Sequence, residues 1–187
     1  DQFIVLLTGH RRESVGAPLT RVFEAIRTVT DRFDQVHVVF PVHANPRIQQ
    51  TAHEVLGNHQ RIHLLPPQSY PEYVKLLRDC HLVVTDSGGI QQDAVTLRKH
   101  TLVLRRVSER PESTDDSTAV LVGTDPKHIT LEIESAVSGP RHLRNHPAME
   151  TIYGTGDAAK RIVDILARGL PQKDARHIEP PSIDAVS

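Results

Sequence analysis

Short runs of apolar and β-branched residues recur along most of the chain, and segments with a different spacing of apolar positions separate them. Runs of this kind are typical of strands that are buried on both faces of a sheet. The sequence predicts strands at Phe3–Leu7, Val36–Phe40, Ile62–Leu65, Leu82–Thr85, Thr101–Leu104 and Ala119–Val122.

Between these runs, apolar residues recur at the spacing of one face of an α-helix. Prolines precede several of these segments, where they suit the first turn of a helix. Helices are therefore predicted after Pro18 (Val22, Ile26 and Val29), after Pro46 (Ile48, Ala52, Val55 and Leu56), after Pro71 (Tyr73–Leu77), and over Thr130–Val137 and Ala158–Ala167.

The alternation of strands and helices predicts right-handed crossovers and a mainly parallel sheet that is covered on both faces. The expected fold class is α/β, a doubly wound, Rossmann-like domain over residues 1–168. Periodicity is lost from about Gly169, in a part that contains Pro171, Pro180 and Pro181. Residues 169–187 are therefore expected to form a flexible tail.

Composition limits the classes of function. The 187 residues carry a net charge of −1, so no overall positive field favours nucleic acid or an anionic membrane. No apolar stretch approaches the roughly 20 residues that span a bilayer, and no signal-peptide pattern opens the chain, so we expect a cytoplasmic protein. The start at Asp1, directly before a strand and without an initiator methionine, indicates a domain from a longer protein.

Neither a reactive thiol nor a metal site is predicted. The single cysteine, Cys80, precedes a strand without a nearby cluster of basic residues, so we expect a buried structural thiol. The histidines and carboxylates lack the close spacing of metal-binding motifs such as HExxH.

The most informative polar segment is residues 85–94, TDSGGIQQDA, which follows the apolar run Leu82–Val84. A strand that enters a helix through two glycines favours phosphate, because free N–H groups and the helix dipole attract anions. Ser87, Gly88 and Gly89 are therefore candidates for holding a nucleotide diphosphate. The same residues also suit a simple tight turn in which Ser87 caps the helix. The segment matches neither the GxGxxG fingerprint nor the Walker loop.

Other polar side chains follow predicted strands and are expected at the same edge of the sheet. His10 follows the first strand, and His43 follows the second. The arginines beside His10 favour a neutral imidazole, which suits general acid–base chemistry; the alternative is that His10 is a surface residue. Asp93 is placed to accept hydrogen bonds from a ribose, or only to complement the helix dipole. Arg110 is a candidate to neutralise a diphosphate, or to pair with the glutamates beside it.

Five ordered segments resemble the non-hydrolysing UDP-N-acetylglucosamine 2-epimerase family: residues 8–14 (TGHRRES), 41–46 (PVHANP), 85–91 (TDSGGIQ), 109–112 (ERPE) and 121–125 (LVGTD). The resemblance runs from Phe3 to about Ala167 and covers the second half of such an enzyme. It implies a GT-B architecture of two Rossmann-like domains, of which this chain is the UDP-binding one. The implied reaction interconverts UDP-GlcNAc and UDP-ManNAc, through elimination and re-addition of UDP, without a redox cofactor.

The resemblance also implies roles for single residues. His10 matches the catalytic histidine that assists departure and return of the UDP phosphate. Arg11 and His43 match positions that, in bacterial members, contact a second, activating UDP-GlcNAc. The residues that match UDP contacts are Ser87, Gly88 and Gly89 at the diphosphate, Asp93 at the ribose, Gln68 and Tyr73 at the uracil, and Arg110.

Two positions depart from the family pattern. Asp93 stands where the family has a glutamate, which shortens the ribose-binding arm by roughly 1.5 Å. Arg98 stands where the family has a glycine, at a helix end that favours left-handed backbone.

Two functions of different classes remain open at this stage. The chain is either the UDP-binding half of an active epimerase, or a nucleotide-sugar binding module that catalyses nothing. A third hypothesis is the donor domain of a GT-B glycosyltransferase. The carboxylates that handle the C2 proton belong to the family's N-terminal domain, which this sequence lacks. The isolated chain is therefore expected to be inactive, and its parent is expected to be a homodimer.

Overall fold

The computed structural model describes residues 2–9, 16–107, 119–139, 154 and 156–169. In this part of the chain, strands alternate with helices and form one sheet. The strands are β1 (Phe3–Thr8), β2 (Val36–Pro41), β3 (Ile62–Leu65), β4 (Leu82–Thr85), β5 (His100–Val103) and β6 (Ala119–Leu121). The helices are α1 (Ala17–Arg32), α2 (Pro46–Leu56), α3 (Tyr70–Asp79), α4 (Gly88–Thr96), α5 (Pro126–Ser138) and α6 (Ala158–Gly169).

The sheet has the strand order β3-β2-β1-β4-β5-β6, and every neighbouring pair is parallel. From the centre, the chain runs outward from β1 to β3 on one side and from β4 to β6 on the other. The carboxyl ends of all strands therefore meet at one edge, and the order reverses between β1 and β4. The predicted α/β, doubly wound fold is confirmed.

Strand β1 shows why the sheet is covered on both faces. Val5 and Leu7 point to one face and join the larger core cluster, which includes Ile26 of α1. Leu6 points to the other face and joins a smaller cluster with Leu77 of α3. All five side chains are at most 1% exposed. A strand buried on both faces needs apolar residues at successive positions, which explains the continuous apolar runs in the sequence.

Capping side chains set the starts of several helices. Asn45 and Asp125 each accept a hydrogen bond from the backbone N–H two residues on, at 3.0 and 3.1 Å. Such caps satisfy N–H groups that the first helical turn leaves without an acceptor. Helix α5 therefore begins at Pro126, ahead of the predicted start at Thr130.

Cys80 is buried, as predicted, with 2% of its surface exposed. Its Sγ–H donates to the backbone carbonyl of Leu77 at 3.2 Å. Burial raises the pKa of the Cys80 thiol to about 12, so the group stays protonated near neutral pH. The residue therefore has a structural role in the smaller core cluster.

Helix α4 ends in a residue with left-handed backbone. Arg98 has a φ of 56°, the only positive φ outside glycine in the described ranges. The N–H of Lys99 donates to the carbonyl of Ala94 at 2.8 Å, and that of Arg98 donates to Val95 at 2.9 Å. This pair of hydrogen bonds is the Schellman motif, whose left-handed position favours glycine. The chain therefore holds an arginine in the conformation expected for a glycine.

Replacing Arg98 by glycine is expected to raise the free energy of unfolding by about 1 kcal/mol, because glycine adopts positive φ without a Cβ clash. Urea denaturation measures the change. Arg98→Ala is the matched control, since it removes the side chain and its interactions but keeps the Cβ. Equal stability of the glycine and alanine variants would contradict this explanation.

A second compact unit begins at Gly154, separate from residues 1–153. Its helix α6 covers the predicted helix Ala158–Ala167 and carries Ile162, Ile165 and Leu166 at helical spacing. The expected tail lies outside the described residues apart from Gly169, so it stays a prediction. Among the helices that the structure describes, none combines the length and apolar composition needed to cross a membrane.

Candidate functional site

The candidate site lies at the carboxyl edge of the sheet, at the boundary between β1 and β4. Thr8 and Thr85 end these two strands and are partners in the parallel register. Gly9 follows Thr8, and Ser87 lies two residues beyond Thr85 at the start of α4. Because the strand order reverses here, helix α1, which follows β1, and helix α4, which follows β4, pack on opposite faces of the sheet. In open α/β sheets this reversal is where a ligand crevice forms.

A short hydrogen-bond chain fixes the two strand ends to each other. The Thr8 hydroxyl donates to Thr85 Oγ1 at 2.6 Å, and both side chains are buried. The backbone N–H of Ser87 donates to the same Thr85 oxygen at 3.0 Å. The position of the turn before α4 is therefore set by β1 as well as by β4.

The first turn of α4 has the features of an anion site. Ser87 is the N-cap, and its Oγ accepts a hydrogen bond from the N–H of Ile90 at 3.5 Å. Gly88 and Gly89 are the first helical residues, whose N–H groups have no acceptor within the helix. A Cβ added at Gly89 would meet no atom within 4 Å, so the space beside it is open. A phosphate can therefore approach this backbone closely.

The turn rests on a buried carboxyl-bearing residue that the sequence analysis did not assign. Asp86 is 1% exposed, and its backbone carbonyl accepts a hydrogen bond from Arg105 Nε at 2.9 Å. Asp86 Oδ2 lies 3.9 Å from the position that a Cβ would take at Gly9. Asp86 thus connects the end of β1, the start of α4 and the segment that follows β5.

Asp93 lies on α4 and is partly buried. The Tyr70 hydroxyl donates to Asp93 Oδ1 at 3.4 Å, a long and exposed contact. Burial raises the pKa of the Asp93 carboxyl above its ordinary value, and the Tyr70 hydrogen bond opposes that shift. The single contact with Tyr70 uses one acceptor position of the carboxylate, which can accept further hydrogen bonds at its other positions.

The two residues expected at the uracil differ in exposure. Gln68 lies in the loop before α3, half-buried, and its Nε2 donates to the carbonyl of Pro66 at 2.7 Å. Tyr73 is only 9% exposed and packs in the smaller core cluster. Its hydroxyl has no hydrogen-bond partner among the described residues, and burial raises its pKa. Only a small part of the Tyr73 ring is accessible to a ligand.

His43 is exposed just beyond the end of β2, and its Nδ1 accepts a hydrogen bond from the N–H of Asn45 at 3.1 Å. His10, Arg11 and Arg110 lie outside the described residues. Of the predicted site residues, the described structure therefore brings Ser87, Gly88, Gly89 and Asp93 together on α4, with Gln68 and Tyr73 supplied by the neighbouring α3 region.

The arrangement is suited to binding an anionic ligand with hydroxyl groups. A helix N-terminus with two glycines can hold a diphosphate, and a carboxylate on the same helix can accept hydrogen bonds from a sugar. In the described part of the chain, no group of three histidine, cysteine or acidic side chains is placed to hold a metal ion.

Comparison with known proteins identifies close relatives in sequence. A family model described as UDP-N-acetylglucosamine 2-epimerase matches residues 1–167. The UDP-N-acetylglucosamine 2-epimerase of Bacillus subtilis (strain 168) is 38% identical over 163 residues, which are 87% of this chain and 43% of that protein. The protein of the same name from Escherichia coli (strain K12) is 35% identical over 166 residues, 89% of this chain and 44% of that protein.

Solved structures give the same result. UDP-GlcNAc 2-epimerase from Neisseria meningitidis bound to UDP-GlcNAc superposes with a TM-score of 0.83 at 32% identity, over 89% of this chain and 45% of that one. An S. aureus MnaA–UDP structure superposes with a TM-score of 0.83 at 33% identity, over 90% of this chain and 46% of that one. The chain therefore spans less than half the length of the relatives that it matches.

Proposed function

The chain belongs to the UDP-N-acetylglucosamine 2-epimerase family, and we propose that it forms the C-terminal, UDP-binding half of an enzyme that interconverts UDP-GlcNAc and UDP-ManNAc. In this proposal the enzyme eliminates UDP, leaving a 2-acetamidoglucal, and adds UDP back after a change of face at C2. The observation that carries it is the glycine turn at the start of α4, located where the strand order reverses.

The UDP diphosphate binds the first turn of α4 in this proposal. Gly88 and Gly89 offer N–H groups without helical acceptors, and the positive end of the helix dipole faces the anion. The hydrogen bonds from Thr8 and from the Ser87 N–H to Thr85 support it, because they hold the turn in place before a ligand arrives. A preformed turn binds with a smaller loss of conformational entropy.

The nucleoside lies along α4 and the loop before α3. Asp93 accepts hydrogen bonds from the ribose; its partly buried carboxylate, with one long contact from Tyr70, supports this role. Gln68 binds an edge of the uracil, and the accessible part of Tyr73 contacts its ring. Since Tyr73 is 9% exposed, its contribution is mainly to shape the wall of the uracil site.

Four residues complete the proposed chemistry. His10 follows Gly9 at the end of β1 and assists the departing and returning phosphate as a general acid–base. Arg110 contacts the nucleotide. Arg11 and His43 bind a second, activating UDP-GlcNAc; the exposed position of His43 beyond β2 leaves it accessible.

In this proposal, the active site lies between this chain and a second domain of the same enzyme. An N-terminal half of the enzyme supplies the carboxylates that move the C2 proton, and the whole enzyme is a cytoplasmic homodimer that needs no redox cofactor. Residues 1–168 form the UDP-binding domain and residues 169–187 a tail. The coverage of 43–44% of the curated relatives supports a further half of similar size.

Calorimetry with UDP on the 187-residue chain tests the proposal directly. We expect a dissociation constant on the order of 10 µM to 1 mM, typical of a half-site without closure of a cleft. UDP-GlcNAc should not be converted, because the proton-transfer carboxylates are absent. Turnover by this chain alone, or no binding of millimolar UDP, would contradict the proposal.

Replacing Asp93 by glutamate is expected to tighten UDP binding about tenfold, because the longer arm forms charge-assisted hydrogen bonds worth roughly 1.5–3 kcal/mol in favourable cases. Calorimetry with UDP gives the affinity. The matched control is Asp34→Glu, which adds the same methylene at a fully exposed position.

A second ligand separates the ribose contact from a general effect of charge. 2′-Deoxy-UDP lacks one hydroxyl, so the difference between the Asp93 and glutamate chains should shrink with it. If both chains bind UDP and 2′-deoxy-UDP equally, Asp93 has no contact with the ribose and only complements the dipole of α4.

A second candidate function is a nucleotide-sugar binding module without catalysis. The shorter carboxylate at Asp93 and the left-handed Arg98 favour it, because both depart from the glutamate and the glycine that the family pattern has at these positions. Turnover of UDP-GlcNAc by the longer protein that contains this chain distinguishes the two functions, since the module would bind UDP and convert nothing.

A further inference from the structure

A cavity of about 610 Å³ opens at the carboxyl ends of β5 and β6. Its wall is formed by Arg21 on α1, by Arg105 and Arg106 after β5, and by residues 121–126, which lead from β6 into α5. None of the turn residues 87–89 lines it. The cavity therefore neighbours the proposed diphosphate site without being part of it.

Among the described residues that line the cavity, positive charge exceeds negative charge. Three of them are arginines, and Asp125 is the one carboxylate in this described set. Within the described ranges, Arg21 and Arg106 form no hydrogen bond or ion pair with another side chain. His128 also lines the cavity, and its Nε2 faces Glu132 at 3.4 Å. The described lining residues therefore favour an anionic ligand with several oxygens, such as a phosphoryl group.

Local contacts order the wall of the cavity. Gly123 has a φ of +61°, and a Cβ there would lie 3.8 Å from Arg106 Cγ, so the Arg106 stem packs along this turn. Helix α5 starts at the same wall, with Asp125 capping Lys127. The guanidinium of Arg105 is held by the carbonyl of Asp86, which fixes one edge of the cavity. A planar guanidinium in a fixed position binds oxyanions through paired N–H groups.

We propose that this cavity is a second anion site that binds a phosphoryl group through Arg21, Arg105 and Arg106, independently of UDP at the α4 turn. The phosphoryl group belongs to a free phosphorylated small molecule and not to the UDP at the α4 turn. Simultaneous binding with UDP distinguishes these sources, because the diphosphate of UDP occupies the α4 turn. The inference does not depend on the epimerase proposal, since it rests on the charges around the cavity.

Inorganic phosphate, titrated at constant ionic strength and followed by backbone amide shifts of the 187-residue chain, tests the site. We expect binding on the order of 1 mM, with the largest shifts at Gly123, Thr124 and Lys127. Arg21→Gln and Arg106→Gln should each weaken it about tenfold, the usual loss for one charge-assisted contact. The control is Arg78→Gln, an exposed arginine at the opposite edge of the sheet, which should change little.

The same titration at saturating UDP separates the two sites. Unchanged phosphate shifts at Gly123 and Thr124 support a separate site for a free phosphoryl group. Loss of those shifts with UDP, shifts confined to residues 87–90, equal weakening by Arg78→Gln, or no shifts at ten times the expected dissociation constant would overturn the proposal. UDP affinity, measured in the same variants, should stay unchanged, so failure here is distinct from failure of the UDP site.

Discussion

In the longer enzyme that we propose to contain this chain, replacing His10 by asparagine is expected to lower turnover by roughly 10²–10⁴-fold, the usual contribution of a positioned acid–base group. UDP affinity should change little, because proton transfer to the phosphate matters only as the bond to the sugar breaks. Initial rates of UDP-ManNAc formation, together with UDP calorimetry on the same variant, measure both quantities.

A loss of turnover without a loss of UDP affinity would identify His10 as an acid–base group. His53→Asn is the matched control, because His53 is an exposed histidine on α2 and has no proposed role. Equal losses of turnover and UDP affinity in His10→Asn would make His10 a phosphate ligand. Unchanged turnover would remove it from the mechanism.

Replacing Ser87 by aspartate is expected to weaken UDP binding about 100-fold, because a carboxylate several ångströms from the diphosphate repels it in a partly desolvated site. The fold should be retained, since aspartate is as good an N-cap as serine and favours the positive end of the helix. UDP calorimetry and urea denaturation, on the same preparation, measure the two opposite effects.

Asn45→Asp is the control for this charge change. Asn45 caps α2 as Ser87 caps α4, so the variant places the same charge at another helix start on the same edge of the sheet. We expect only a small loss of UDP affinity. If both variants weaken UDP equally, the effect comes from the overall field and not from a diphosphate at the α4 turn.

Much of the fold was predictable because its elements are determined locally. Strand β4, Leu82–Thr85, is a buried run flanked by polar residues, and its predicted bounds match the structure. Strand β5 begins one residue earlier than predicted, at His100, because its pairing with Leu82 of β4 decides the boundary. Such pairing is a property of the folded sheet and is not encoded in the run itself.

The parts of the site that consist of adjacent residues in the sequence were predictable. The parts that depend on contacts between distant residues were less so. Ser87–Gly89 form a continuous motif, and they occupy the start of α4 as expected. The motif contained Asp86, but its burial and its contact with Arg105 arise only when β4 and β5 are adjacent. The Tyr70 hydroxyl on α3 contacts the Asp93 carboxylate on α4, although the two residues are 23 positions apart in the sequence.

Tyr73 illustrates a further limit of sequence reasoning. An aromatic ring at a family position suggests contact with a base, but burial is decided by what packs around the ring. Here α3 presses Tyr73 into a cluster with Leu6 and Val83, which leaves 9% of its surface exposed. The role of Tyr73 at the uracil stays a prediction. The pattern of residues in the sequence did not indicate that its hydroxyl is buried.

The central claim, that the α4 turn binds UDP, is tested most directly by a map of backbone amide shifts as UDP is added to the 187-residue chain. We expect the largest shifts at Gly88, Gly89 and Ile90, with smaller ones near Asp93 and Gln68. Shifts concentrated elsewhere, for example at the amino-terminal ends of the strands, would contradict it.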